Sequence, residues 1–295
     1  MQILRRHAAL LVALLGLVPA LVPGTVQAQA SRDYTPQVGQ EGKDVIWVPT
    51  PQSLVERMLD MAKATPSDFV VDLGSGDGRT VITAAKRGIR ALGIEYNPDM
   101  VDLSKRNAEK EGVAGRAQFI QGDIFQTDFS QATVLTLYLL PSLNVKLRPT
   151  ILKMTPGTRV VSHAFSMDDW QADMTDNVEG RTAYLWIVPA RVEGTWRWNG
   201  GGGGPREYEM ILKQHYQQVD GVVRLDDKMG QLRNVKVVGD QITFSILDST
   251  GGTSARRDFV GKVTENGIEG TVKQSSSEAK WSATRSVPAP TPAQK

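Results

Sequence analysis

Three glycines alternate with other residues in the stretch Asp72-Leu73-Gly74-Ser75-Gly76-Asp77-Gly78-Arg79. An apolar run, Phe69-Val70-Val71, precedes it, and a helix-like run, Thr80 to Arg87, follows. Glycines so spaced let the chain turn sharply and lie against a ligand without a Cβ in the way. Asp72, just ahead of the first glycine, suits a cation and repels a phosphate. A dinucleotide fingerprint counted from Gly74 would place its third glycine at position 79, which is Arg79. No Gly-Lys-Ser/Thr follows, which excludes a phosphate-binding P-loop. Two more carboxylates close runs of β-forming residues. Glu95 stands 21 positions after Gly74 and can accept hydrogen bonds from two ribose hydroxyls at once. Asp123 is placed to meet the amino group of an adenine, with Tyr96 and Ile124 available to flank the ring. The chemistry implied is the grip of a nucleoside that carries positive charge and no pyrophosphate.

The elements that must position these groups can be read from the pattern. Val48-Pro49-Thr50-Pro51 leads into a helix, with Thr50 able to cap it and Pro51 suited to its first position. Leu54, Val55, Met58, Leu59 and Ala62 then form one apolar stripe. Strands are expected at 68–73, 91–94, 117–121, 132–138 and 159–165. Helices are expected at 80–87, from Asn97 to about Glu111, and around 145–154, with Tyr184 to Val188 as one more strand at the sheet edge. Such alternation predicts an α/β unit over residues 31–189, a Rossmann-like, doubly wound, mostly parallel sheet with helices on both faces. Ligands of such sheets bind outside the carboxyl ends of the strands, where Asp72, Glu95 and Asp123 fall.

The blocks Val70 to Arg79, Glu95-Tyr96-Asn97-Pro98 and Gln121-Gly122-Asp123 resemble the class I S-adenosylmethionine-dependent methyltransferases. Val48-Pro49-Thr50-Pro51, Ala84 to Gly88, Gly93-Ile94-Glu95, Arg159 to Phe165 and Trp170 are similar to one branch, the mitochondrial protein-lysine methyltransferases that act on the membrane-ring protein of ATP synthase and on the adenine nucleotide translocase. The resemblance spans roughly positions 40 to 175 and implies methyl transfer to a protein lysine. Its cofactor, with an ammonium and a sulfonium, has the charge that the carboxylates ask for. It assigns cofactor binding to Asp72, Gly74, Gly76, Glu95 and Asp123, and the turn adds Ser75 and Gly78. Tyr138, at the end of the fourth strand, and His163, near the end of the fifth, are the candidate catalytic groups. Tyr138 could line the acceptor slot, and His163 could serve as a base for an oxygen nucleophile. Tyr138-Leu139-Leu140-Pro141 lacks the Asn/Asp-Pro-Pro-aromatic pattern of amide and nucleobase amino methylation. Asp168 and Asp169 read either as an acidic rim or as a solvated loop. No metal is expected, because the sulfonium itself supplies the electrophile. Methylation of a small phenol or quinone, and a non-catalytic nucleoside-binding or scaffold role, are the alternative readings.

From residue 190 to 285 the pattern changes to about eight short strands with Gly200 to Gly204, Asp220-Gly221, Gly239-Asp240, Gly251-Gly252 and Asn266-Gly267 as connections. This predicts a small antiparallel barrel or meander. Gly194-Thr195-Trp196 and Arg285 resemble the Trp–Arg closure of lipocalin-like barrels. Residues 286–295, rich in proline and small side chains, read as a disordered tail. The first thirty residues have the form of a secretory signal: Arg5-Arg6, an apolar run from Ala8 to Val22, and Ala28-Gln29-Ala30 as a cleavage pattern. A periplasmic or secreted location is therefore expected, with an uncleaved N-terminal anchor as the alternative. The chain of 295 residues has a formal net charge of +2 and no basic run, so no nucleic-acid partner is expected.

Overall fold

The computed structural model describes residues 34–200, 207–248 and 255–286. The expected signal segment and residues 287–295 of the tail lie outside the described residues. From Thr35 onward the chain forms one compact unit, built from a seven-stranded sheet and a closed barrel.

The sheet contains β1 (Phe69–Leu73), β2 (Arg90–Glu95), β3 (Ala117–Gln121), β4 (Val134–Leu137), β5 (Arg159–His163), β6 (Met174–Val178) and β7 (Arg181–Ile187). Its order is β3-β2-β1-β4-β5-β7-β6. The first five strands run parallel, and β7 and β6 add an antiparallel hairpin. The strand order reverses between β1 and β4, so a crevice opens at their carboxyl ends. The expected edge strand, Tyr184 to Val188, corresponds to β7. It lies inside the sheet, because β6, unmarked by any strongly apolar run, pairs outside it.

Strand alternation divides the core into two faces. Val70, Val134 and Val161 pack with α1 (Gln52–Met61), α2 (Arg79–Lys86) and α3 (Pro98–Lys110). Val71, Leu73, Leu135 and Val160 pack with α4 (Pro141–Ile151), Trp170 and Trp186. The predicted stripe of α1 is fully buried. Its cap differs from expectation: Pro51 holds the N-cap position, and Thr50 turns its hydroxyl to Nδ1 of His163 at 3.1 Å. Asn97 caps α3 through the amide of Asp99, and Pro141 sits at the start of α4, four residues ahead of the expected onset.

The barrel is formed by β8 (Gly194–Asn199), β9 (Glu207–His215), β10 (Gln218–Leu225), β11 (Lys228–Val238), β12 (Gln241–Asp248), β13 (Ala255–Val263), β14 (Gly267–Gln274) and β15 (Ser277–Arg285). Neighbours in sequence pair antiparallel, and β15 closes on β8. Trp198, Phe244, Phe259 and Trp281 fill its interior, Phe244 stacked on Phe259 and both edge to face with the two indoles. The guanidinium of Arg285 lies 4.2 Å from the ring of Trp196, as the Trp–Arg pattern anticipates. Asp220-Gly221 is a strand segment of β10 and not a connection, since Gly221 passes directly against the backbone of β9. The β9–β10 turn lies at Tyr216-Gln217, with Tyr216 at φ +55°. Gly251-Gly252 and positions 201–204 lie outside the described residues.

Candidate functional site

The glycine bend is fixed from three directions. Amides of Gly74 and Ser75 donate to the carbonyl of Ile94 in β2. From α3, Ser104 donates to the carbonyl of Gly76 at 2.8 Å, and Asn107 donates to that of Asp77 at 3.0 Å. Arg79 clamps the Asp77 carboxylate and the carbonyl of Thr50, tying the bend to the start of α1. Gly76 is required twice over: its φ is +54°, and a Cβ would lie 2.6 Å from the indole nitrogen of Trp47. Gly78 stands behind the bend, against Phe119 and Ser104, and does not line the cleft. The Ser75 hydroxyl is buried, lies where a Cβ on Gly93 would go, and has no hydrogen-bond partner among the described residues.

The two carboxylates nearest the bend sit on the same face of the sheet. Asp72 is paired in register with Thr136 of β4, whose hydroxyl donates to it at 2.6 Å. Burial pushes the Asp72 carboxyl up to about 7, against the pull of hydrogen bonds from Thr136 and Thr80, and the charges of Glu95 and Asp77 add to the rise. Glu95 uses one oxygen to accept the amide of Gly76 and the other to accept the amide of Asn97, each at 2.9 Å. A carboxylate has about four acceptor positions, so two stay open on a group whose orientation is already set.

A cleft of about 610 Å³ opens beside the bend, within the size range of small-ligand sites. Asp72, Gly74, Ser75, Gly76, Glu95, Tyr96, Asp123 and Ile124 all line it, as does Tyr138. Sequence reasoning missed a strap over this cleft. Residues Gly39 to Trp47 form a small hairpin, with Glu41 bridged to Ile46. At its tip Lys43 pairs with Asp123 at 2.6 Å and lies 4.7 Å from the ring of Tyr96. The hydrogen bond from Lys43 and the Phe125 amide hold the Asp123 carboxyl below its ordinary range.

The far wall is apolar, made by Leu137, Tyr138, Leu139, Leu140, Leu143 and Phe165. The structure places His163 one layer behind this wall. It is 3% exposed, its ring centroid lies 3.8 Å from that of Tyr138, and it does not line the cleft. Burial, aided by the charge of Arg181, lowers it to about 4, so the imidazole stays neutral at physiological pH and is a weak base. Asp169 lies in an exposed loop and there pairs with Arg148 and Tyr216.

The model of the ANTKMT methyltransferase domain matches residues 72–174. A protein-lysine N-methyltransferase of Saccharolobus islandicus is 44% identical over 151 residues, which cover 49% of this chain and 94% of that protein. A lysine N-methyltransferase of Mus musculus that acts on ATP synthase is 31% identical over 70% of this chain and 81% of its own length. The chain belongs to the protein-lysine N-methyltransferases. A solved structure described as an RNA methyltransferase from Salinibacter ruber with S-adenosyl-L-homocysteine is 50% identical over 49% of this chain and 96% of that one, with a TM-score of 0.48. This methyltransferase takes S-adenosylmethionine as its methyl donor. Its residues fit that group: a bend at which Gly74 and Gly76 present no Cβ to the cleft, two carboxylates for positive and hydroxyl-bearing parts, and an apolar wall opposite.

Proposed function

We propose that the Asp72–Arg79 bend, Glu95 and Asp123 hold S-adenosylmethionine, and that a protein lysine reaches it along the wall formed by Tyr138, Leu140, Leu143 and Phe165. When bound, the cofactor supplies an electrophilic methyl on a sulfonium. Every other contribution comes from the chain. Glu95 takes the ribose hydroxyls on its two open acceptor positions. The main chain of the bend, with Asp72 beneath it, receives the cationic amino-acid end. Asp123, with Tyr96 and Ile124 beside it, takes the adenine, and Lys43 must release it first. Support for this reading is the convergence of Glu95 and Gly76 at 2.9 Å beside the buried Asp72.

A lysine amine must lose its proton before it can attack, which at pH 7 costs about 4.6 kcal/mol from a reference pKa near 10.4. The apolar wall favours the neutral amine by withholding water, and the charge of the cofactor acts in the same direction. No dedicated base is then required, consistent with a neutral His163 behind Tyr138. The same reading, on the strength of residues 1–30, puts the enzyme outside the cytosol. The test is incubation of the protein with methyl-labelled cofactor and host extract, followed by mapping of the label. Label on lysine ε-nitrogens supports the reading. Tight cofactor binding with label only on small molecules, or with none transferred, overturns it.

A further inference from the structure

We propose that the barrel is part of the acceptor side of this active site: Tyr216 and Gln217, at the β9–β10 turn, are positioning residues that set Phe165 through the segment Ala164–Trp170. The proposal rests on the assignment of that wall to the lysine acceptor. The segment leaves β5 in a conformation that its own residues do not favour. Ala164 and Asp168 have φ of +63° and +60°, and neither is a glycine. Such backbone persists only where its surroundings over-determine it.

Beyond the amide of Ala164, which donates to the carbonyl of Thr182 in β7 at 2.7 Å, and the bridge between Met167 and Trp170, two further sets of contacts do so. From α4, the fully buried Asn144 donates its side-chain amide to the carbonyls of Phe165 and Ser166, each at 3.2 Å. Arg148 donates to the carbonyl of Met167 at 2.8 Å. From the barrel, the hydroxyl of Tyr216 donates to the Asp169 carboxylate at 3.1 Å, and Asp169 in turn pairs with Arg148 at 2.5 Å. Trp170 is fully buried, stacks on Tyr216 with centroids 5.7 Å apart, and donates its indole N–H to Gln217 at 3.0 Å. Gln217 also donates to the carbonyl of Gln171 at 2.7 Å. The two sets meet at Arg148 and Asp169, so α4, the segment and the barrel turn share one hydrogen-bonded network. Phe165 is the residue of this segment that lines the cleft, and its ring is stacked with that of Tyr138 at 6.1 Å. Tyr216 is itself held at φ +55°.

The turn thus acts on one wall only. The glycine bend and Glu95 are held by β2 and α3, with no contact to the barrel turn among the hydrogen bonds described. A positioning role therefore predicts a split between acceptor and cofactor parameters, which simple loss of stability would not produce.

The experiment uses the full chain and, as acceptor, the extract protein found to carry lysine label. Variants are Tyr216→Phe, which removes only the hydroxyl, Tyr216→Ala, Phe165→Ala and the Tyr216→Ala/Phe165→Ala double variant. We expect Tyr216→Ala to raise the acceptor KM at least fivefold while the Kd for S-adenosylhomocysteine stays within twofold, and Tyr216→Phe to do so to a lesser extent. The double variant should be no worse than Phe165→Ala, because both substitutions act through the same ring. Unchanged acceptor KM in both Tyr216 variants, or effects of the two sites that simply multiply, would overturn the proposal. Should Tyr216→Ala fail to fold, the comparison of Tyr216→Phe with wild type decides. If the wild-type protein labels no lysine, the functional reading fails first; if it labels lysine and the variants match it, the positioning role alone fails.

Discussion

Replacing Asp72 with asparagine tests how the site handles the charge of its cofactor. Asp72 is 7% exposed, and its carboxyl is pushed up to about 7 from the usual 3.8 by burial, in spite of two hydroxyl donors. A cationic ligand prefers the ionised form. Binding therefore draws a proton off whenever the free site carries one, and affinity rises with pH until the carboxyl is already ionised. Below pH 7 each pH unit should cost nearly tenfold in affinity, about 1.4 kcal/mol. Between pH 7.5 and 5.5 the loss should exceed tenfold. His163, at about 4, does not titrate in this window. Isothermal titration with S-adenosylmethionine in two buffers of different ionisation heat gives both affinity and protons released. The wild-type protein should release close to one proton per cofactor at pH 5.5 and far fewer at pH 7.5. Asp72→Asn should bind at least tenfold more weakly at pH 7.5 and lose the slope. A wild-type affinity that is flat over this range, or a slope that survives in Asp72→Asn, would refute the reasoning.

Glu95→Ala removes the acceptor of the Gly76 and Asn97 amides along with the open positions for ribose, and should weaken cofactor binding at least tenfold, about 1.4 kcal/mol by calorimetry; unchanged affinity would reject the assigned contact. Lys43→Ala frees Asp123 from an ion pair on the cleft rim and should tighten cofactor binding, by up to about fivefold, since an exposed, screened pair holds the carboxylate only weakly. Weaker binding would show that Lys43 is a ligand of the cofactor rather than its competitor. Asp68 feels burial first, yet hydrogen bonds from Arg159, the Thr65 amide and Thr133 outweigh it and hold its carboxyl below the usual value. Its contribution to stability is therefore present above the carboxylate range of the unfolded chain and fades as pH falls through the lower folded value. Arg159→Met should cost about 3 kcal/mol in denaturant unfolding at pH 7, with the difference from wild type shrinking in acid.

The positions that hold the bend were legible because their reasons are local. Glycine spacing, an apolar run before it and a helix pattern after it specify strand, turn and helix, and strand ends then place Glu95 and Asp123. The barrel strands were legible from short strand-like runs separated by turn signals, and Arg285 meets Trp196 as the resemblance to lipocalin-like barrels implies. Legibility stopped where partners are distant in sequence. Thr50 reads as a cap from its neighbours alone, but its hydroxyl is taken by His163, 113 positions away. Lys43 lies 80 positions from Asp123, in a stretch with no apolar period, so nothing local announced the strap. The Tyr216-Gln217 turn was hidden for a different reason. It uses a non-glycine residue at positive φ, whereas Gly221, which looks like a turn residue, is small because a neighbouring strand leaves no room for a Cβ. Pro141 did carry a usable sign, since proline favours the first turn of a helix.

The most direct measurement is a crystal structure of the protein grown with S-adenosylhomocysteine. The expected result is the ribose hydroxyls on Glu95, the amino-acid end over the Gly74–Gly76 main chain above Asp72, and Lys43 displaced from Asp123 by the base. A nucleoside bound away from Glu95, or one seated there with the Lys43–Asp123 pair intact and its base directed elsewhere, would contradict the proposed site.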